Sequence, residues 1–162
     1  MKKILIFGNS GSGKSTLAKY LCKSEGFAHL DLDSLAWEDT LPPQRRDLNE
    51  SKQDILTFIE SNNTWVIEGC YTDLLELVST HSNEIIFMNL SIDDCISNAR
   101  TRPWEPHKYE SKQAQDNNLP MLINWITQYE ERNDTFSMAA HQAFFDGYSG
   151  QKRMISSNLD SL

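Results

Sequence analysis

Long apolar runs are missing from this chain: no stretch of its 162 residues approaches the roughly 18 that a membrane-spanning helix requires. Near the start, Lys2 and Lys3 precede only Ile4, Leu5, Ile6 and Phe7 before Gly8, too short for the apolar core of a secretory leader. Cysteine is scarce and scattered, with Cys22, Cys70 and Cys95 far apart and no CxxC pair. That usage argues against a disulfide framework and for reduced thiols in the cytoplasm, and with the four histidines it offers no zinc-ligand spacing. Cations are outnumbered, 15 Lys and Arg against 23 Asp and Glu, for a net charge of −8. Such a surface repels phosphate backbones and anionic lipids, which sets aside broad nucleic-acid or membrane binding but not a local basic pocket. The deficit is sharpest from Gln53 to Ala99, where eight acids stand without one Lys or Arg. No internal repeat or low-complexity tract is present. What remains is 39% hydrophobic and 23% charged, enough for one domain spanning residues 1–162 with its own core.

The strongest positive signal lies in the first thirty residues. Ile4 to Phe7 is a short β-branched and aromatic run, as expected of a strand buried on both faces of a parallel sheet. It enters Gly8-Asn9-Ser10-Gly11-Ser12-Gly13-Lys14-Ser15-Thr16, which matches GxxxxGK[ST], the P-loop pattern. Leu17, Ala18, Leu21 and Cys22 follow at helical spacing, with Gly26 as a stop. The glycines let the backbone turn tightly and aim successive N–H groups at phosphate oxygens, while the next helix presents its positive end to the same anion. Lys14 is then placed to reach the β- and γ-phosphates of ATP, and the Ser15 hydroxyl to ligate Mg²⁺.

Beyond the loop, strands and helices alternate. His29 to Asp33 reads as a second strand ending in two acids, and residues 34–63 hold Pro42-Pro43 and a helical stretch. Trp65-Val66-Ile67 forms a third strand closed by Glu68-Gly69, Leu74 to Val78 a helix, and Glu84 to Leu90 a fourth strand. Ser91 caps another helix that ends in Arg100 and Arg102 and stops at Pro103. Residues 103–118 are polar and without period, which reads as a functional lid or a disordered connection. Helices from Leu122 to about Asn133 and from Phe136 to Phe145, then an edge strand over Lys152 to Ser156, complete the pattern. The expectation is an α/β fold, a parallel sheet with helices on both faces.

Three segments together resemble a known group: Gly8 to Thr16 followed by Leu17-Ala18, then His29-Leu30-Asp31-x-Asp33-x-Leu35-x-Trp37, then Trp65-Val66-Ile67-Glu68-Gly69-x-Tyr71. Over residues 1–102 the chain is similar to the small P-loop kinases related to adenylate and shikimate kinases, and most of all to the adenylate-kinase-related proteins labelled DNA topology modulation proteins. The resemblance implies a P-loop NTPase three-layer sandwich around a five-stranded parallel sheet, a mobile acceptor-binding segment at residues 34–63, and an arginine-bearing lid at 103–118 that closes over ATP. It implies that Asp31 serves the metal and that Asp33 orients or deprotonates the acceptor. Glu68 falls where the group carries a second metal-linked acid, usually Asp. Arg100 and Arg102 would neutralise charge on the transferring phosphoryl group. Arg45 and Arg46 are candidates for an acceptor anion, and Trp37 and Trp104 for stacking on a planar one; His107 could meet substrate under a closed lid. Each has an ordinary alternative, as a helix-end cation, a solvated acid or a packing aromatic.

Nucleoside monophosphate kinases are expected to clamp the acceptor phosphate with an arginine just after the third strand, where this chain has Gly69-Cys70-Tyr71-Thr72. The lack favours an uncharged or singly charged hydroxylated acceptor. The expected function is therefore an ATP- and Mg²⁺-dependent small-molecule kinase, monomer or homodimer. A nucleoside monophosphate kinase with a relocated clamp and an ATP-binding regulatory protein with weak ATPase activity are the alternatives.

Overall fold

The computed structural model describes residues 1–158, in the order β1 (Lys3–Gly8), α1 (Lys14–Glu25), β2 (Ala28–Asp31), α2 (Leu48–Ser61), β3 (Trp65–Glu68), α3 (Thr72–Val78), β4 (Glu84–Met88), α4 (Ile92–Thr101), α5 (Lys112–Thr127), α6 (Met138–Gly147) and β5 (Gln151–Ile155). The strands form one parallel sheet in the order β2-β3-β1-β4-β5. Side chains alternate across it, as the pleat requires. Leu5, Phe7, Ile67, Ile85 and Phe87 face Ile55 of α2, Leu74, Leu75 and Val78 of α3 and Phe144 of α6. Ile4, Ile6, Val66, Ile86 and Met88 face Leu17 and Ala18 of α1, Cys95 and Ala99 of α4 and Ile126 of α5. The result is a three-layer sandwich in which the central strands are apolar on both faces, which is why they read as unbroken hydrophobic runs. Among the described residues no helix is long and apolar enough to cross a membrane.

Register places the site. Asp31 is level with Glu68 across β2 and β3, and Glu68 is level with Ile6 of β1, two residues before the P-loop. The carboxyl ends of three adjacent strands thus converge where the strand order reverses, the crevice in which open parallel sheets bind ligands.

Two sequence expectations need correction. The second strand ends at Asp31, because its carboxylate captures the Asp33 N–H at 2.9 Å and turns Leu32–Ser34 into a short 3₁₀ coil over the buried Leu32. Asp31 and Asp33 therefore do not share a strand face. The lid is not periodless to residue 118. Ser111 caps α5, which starts at Lys112 and runs through Pro120 to Thr127. The internal proline and the polar first half conceal a helix that tertiary packing of Leu119, Leu122 and Ile126 sustains.

Candidate functional site

The loop between β1 and α1 is shaped by glycines that cannot be replaced in place. Gly13 has φ 91°, and a Cβ there would stand 2.6 Å from Asn158 Nδ2; Gly11 has φ 78°, and its Cβ would run into the Cys95 carbonyl. Gly13 precedes α1 without any side-chain cap, so the first-turn N–H groups of that helix point into the cavity uncapped. Lys14 Nζ donates to the Asn9 carbonyl at 2.7 Å, folded back over the loop. Two amides from distant segments brace the loop: Asn98 Nδ2 donates to Gly11 O and Asn158 Oδ1, both at 2.8 Å, and Asn158 Nδ2 donates to Ser12 O at 3.1 Å.

Beside the loop, the Ser15 hydroxyl donates to Glu68 Oε1 at 2.9 Å, and His29 Nε2 stands 3.9 Å from the same oxygen. Glu68 is buried, and its Oε2 has no hydrogen-bond partner in the protein. Burial pushes the carboxyl upward, but His29, the charge of Lys14 and the Ser15 hydroxyl outweigh it and hold Glu68 below its ordinary value, as an anion. Asp31 behaves oppositely: burial first, then the charges of Glu68 and Asp33, lift it to about 6. Asp33 resists its burial through the charge of Lys108 and the Tyr71 hydroxyl, and stays below the ordinary carboxylate value. Ser15, Glu68 with its orphaned oxygen, and Asp31 make a set of hard oxygen donors that fits Mg²⁺. Among the described residues no three His, Cys, Asp or Glu could hold a metal alone, so a cation here would take its other ligands from phosphate and water.

Ser15, Glu68 and Asp33 border one cavity of about 540 Å³, whereas Asp31 is not among its lining residues. It is lined also by Ser10, Gly11, Gly13, Lys14 and Thr16 of the loop and by Cys70, and from the far side by Asn98, Arg102, Glu105, Lys108 and Tyr109. The volume and the row of loop amides suit a nucleotide with a small second ligand. Arg102 faces it, paired with Glu105 at 3.1 Å. Arg100 does not line it and borders a second crevice with Gln115, Asp116 and Leu119, which Arg102, the C-cap of α4, also lines.

Trp37, Arg45 and Arg46 do not line the cavity. The Arg45 guanidinium is 3.1 Å from Asp73 and lies over the rings of Trp37, Tyr71 and Phe136 at 5.9, 5.0 and 5.5 Å. Arg46 pairs with Asp54 at 2.6 Å and donates to Leu35 O at 3.2 Å, pinning the segment before α2 to that helix. Both are committed to carboxylates within the fold. Trp37 Nε1 donates to the Tyr71 hydroxyl at 2.8 Å, and that hydroxyl donates to Asp33 Oδ1. Trp104 Nε1 donates to Tyr109 O within the lid, and His107 stands 3.9 Å from Glu105. Sequence reasoning missed Lys108, Asn98 and Asn158. Lysine and asparagine in polar segments carry no periodic or motif signal, and only the fold brings them to the loop.

Against known proteins, a family model described as an AAA domain matches residues 4–118. The uncharacterized protein YqaC of Bacillus subtilis (strain 168) is 24% identical over 147 residues, 87% of this chain and 80% of its own length. Among solved structures, deoxyadenosine kinase from M. mycoides with bound dATP superimposes with a TM-score of 0.52 at 13% identity, covering 99% of this chain and 93% of that one. Shikimate kinase from Bacteroides thetaiotaomicron gives a TM-score of 0.47 at 16% identity, covering 90% and 97%. The first of these two structural likenesses shows a shared fold: the chain has the kinase-like P-loop architecture.

Proposed function

The chain belongs to the AAA-domain family of P-loop proteins, and from that premise we propose that it is an ATP- and Mg²⁺-dependent phosphotransferase acting on a small hydroxylated acceptor. One observation carries this: Lys14, the Ser15–Glu68 pair and Asp33 border the same cavity, so a phosphate cradle and the Asp33 carboxylate face each other across space for a second ligand. The loop amides and Lys14 would bind the phosphates. Mg²⁺, when bound with the nucleotide, would supply positive charge against the phosphate oxygens, and Ser15, Glu68 and Asp31 are the residues that would hold it. Asp33 would accept the proton of the acceptor hydroxyl as its oxygen bonds to the γ-phosphorus, while the bond from that phosphorus to the departing ADP oxygen breaks. Arg102 would neutralise the charge that develops, and the segment before α5 would exclude water.

The commitment of Arg45 and Arg46 to Asp73 and Asp54 supports an acceptor without a dianionic phosphate. A small molecule, rather than nucleic acid or a membrane, is the partner proposed, in the cytoplasm, in keeping with a net charge of −8. The test is ADP release by the purified chain with ATP and Mg²⁺, alone, with AMP, CMP, GMP and UMP, and with pooled hydroxylated metabolites. Stimulation by the metabolite pool is expected, and Lys14→Ala should fall to background with its fold intact by circular dichroism. Stimulation by a nucleoside monophosphate instead would replace the acceptor class. ATP binding with no stimulated release would favour a regulatory protein.

A further inference from the structure

Both oxygens of Asp33 are occupied. The Tyr71 hydroxyl donates to Oδ1, and the Lys108 ammonium lies 2.9 Å from Oδ2. The two donors differ in kind. Tyr71 is 2% exposed and anchored by Trp37 and by the rings around it, so it is a fixed part of the floor. Lys108 comes from the segment between α4 and α5, in a turn closed by its own N–H on Glu105 O at 2.9 Å, with Pro106 inside the turn. Its Nζ also stands 3.5 Å from Asp31 and 3.8 Å from Glu105, and its side chain keeps 23% exposure. The Tyr71 contact cannot be cleared without opening the core. The Lys108 contact can.

An acceptor that hands its proton to Asp33 competes for one of those oxygens, and Oδ2, held by Lys108 Nζ, is the one whose partner can move away. We propose that Lys108 determines specificity against water: its ammonium holds Asp33 Oδ2 in an ion pair that weakens the carboxylate as a base, and it yields only to an acceptor with enough contacts to displace it. The inference rests on the phosphotransfer reading above. Water is the competing nucleophile in any such site. Its oxygen would bond to the γ-phosphorus, the bond to ADP would break, and its proton would pass to Asp33, giving ADP and inorganic phosphate. A single water offers few contacts to replace a charge-assisted pair, whereas a larger acceptor brings several. Displaced from Asp33, Lys108 would still face the cavity that Lys14 and Arg102 line. The next lysine along the chain has no such position, since Lys112 pairs with Asp116 along α5 at 3.3 Å.

The experiment measures phosphate release from ATP and Mg²⁺ without any acceptor, for the full chain and for Lys108→Ala, Lys108→Met, Lys108→Arg and Lys112→Ala, with Lys14→Ala as the blank. Lys108→Ala and Lys108→Met should raise Lys14-dependent release about tenfold, and Lys108→Arg and Lys112→Ala should stay near the native rate. Adding Asp33→Asn to Lys108→Met should abolish the gain. ATP binding by calorimetry is measured for each variant, so that a folding defect in one substitution leaves the other to decide. Normal ATP binding with release unchanged, or absent throughout, overturns the role of Lys108 while leaving the nucleotide site standing. Loss of Lys14-dependent ATP binding in the native chain removes the phosphotransfer reading, and this inference with it.

Discussion

Glu68 holds a negative charge at a buried strand end, favoured there by His29, Lys14 and Ser15, with one oxygen left unpartnered. Replacing it by glutamine keeps the length and a partner for Ser15 but removes the charge. Glu68→Gln should therefore raise the Mg²⁺ concentration needed for half-maximal nucleotide turnover by about 10–100-fold, the range found when carboxylates supporting a metal are lost. The same change gives up an anion that the fold favours, so the thermal midpoint should hold or fall. Magnesium titrations of turnover, with a melting curve for each protein, check both. A slower enzyme with an unaltered Mg²⁺ requirement would mean that Glu68 only shapes the loop through Ser15. This carboxylate was legible in the sequence because it closes an apolar strand just before a glycine. Lys108 was not: its partners Asp33 and Asp31 stand 75 and 77 positions away, and no spacing connects them.

At the level of elements, the strand, loop and helix of the nucleotide cradle could be read directly, since β1 alternates between two apolar faces and the glycines sit where the backbone turns. What holds the cradle could not. Its carbonyls at Gly11 and Ser12 are fixed by Asn98 from α4 and Asn158 after β5, residues brought there by a sheet order that puts β4 and β5 on the same side of β1. Asn98→Ala removes two hydrogen bonds at once, each contributing about 1 kcal/mol. The loop should lose preorganisation rather than shape, with the ATP dissociation constant rising by about 5–30-fold and the fold retained. Calorimetric titration of ATP into the variant, beside far-UV circular dichroism, tests this. Unchanged affinity would show that α4 packing alone sets the loop. The start of α5 escaped for a different reason: Pro120 and a polar first half contradict helix propensity, and only burial of Ile126, with Leu119 and Leu122 packed beside it, overrides them.

For the whole molecule, one buried imidazole ties the face opposite α1 together. His141 of α6 is fully buried, with Nδ1 2.6 Å from the Tyr129 hydroxyl and Nε2 2.9 Å from the Cys70 carbonyl, the loop that lines the cavity. A carbonyl only accepts, so Nε2 carries the proton and Nδ1 accepts from Tyr129: the ring is neutral. Burial lowers its pKa to about 4 from the ordinary 6.5. A group depressed in this way binds its proton more readily when unfolded. Its contribution is complete above pH 6.5 and is lost as pH falls toward 4, about 3 kcal/mol in all. Asp31 acts with the opposite sign, because its raised value of about 6 makes the folded state the better proton acceptor between 3.8 and 6. The two windows overlap, so the native stability curve alone would mislead. His141→Gln keeps a donor for Cys70 and an acceptor for Tyr129 but does not titrate. Between about pH 7 and pH 4.5 the native chain should lose about 2 kcal/mol relative to this variant in urea denaturation. Parallel curves for the two proteins would mean that the imidazole titrates as if in water, and that His141 does not tie α6 to the loop after β3.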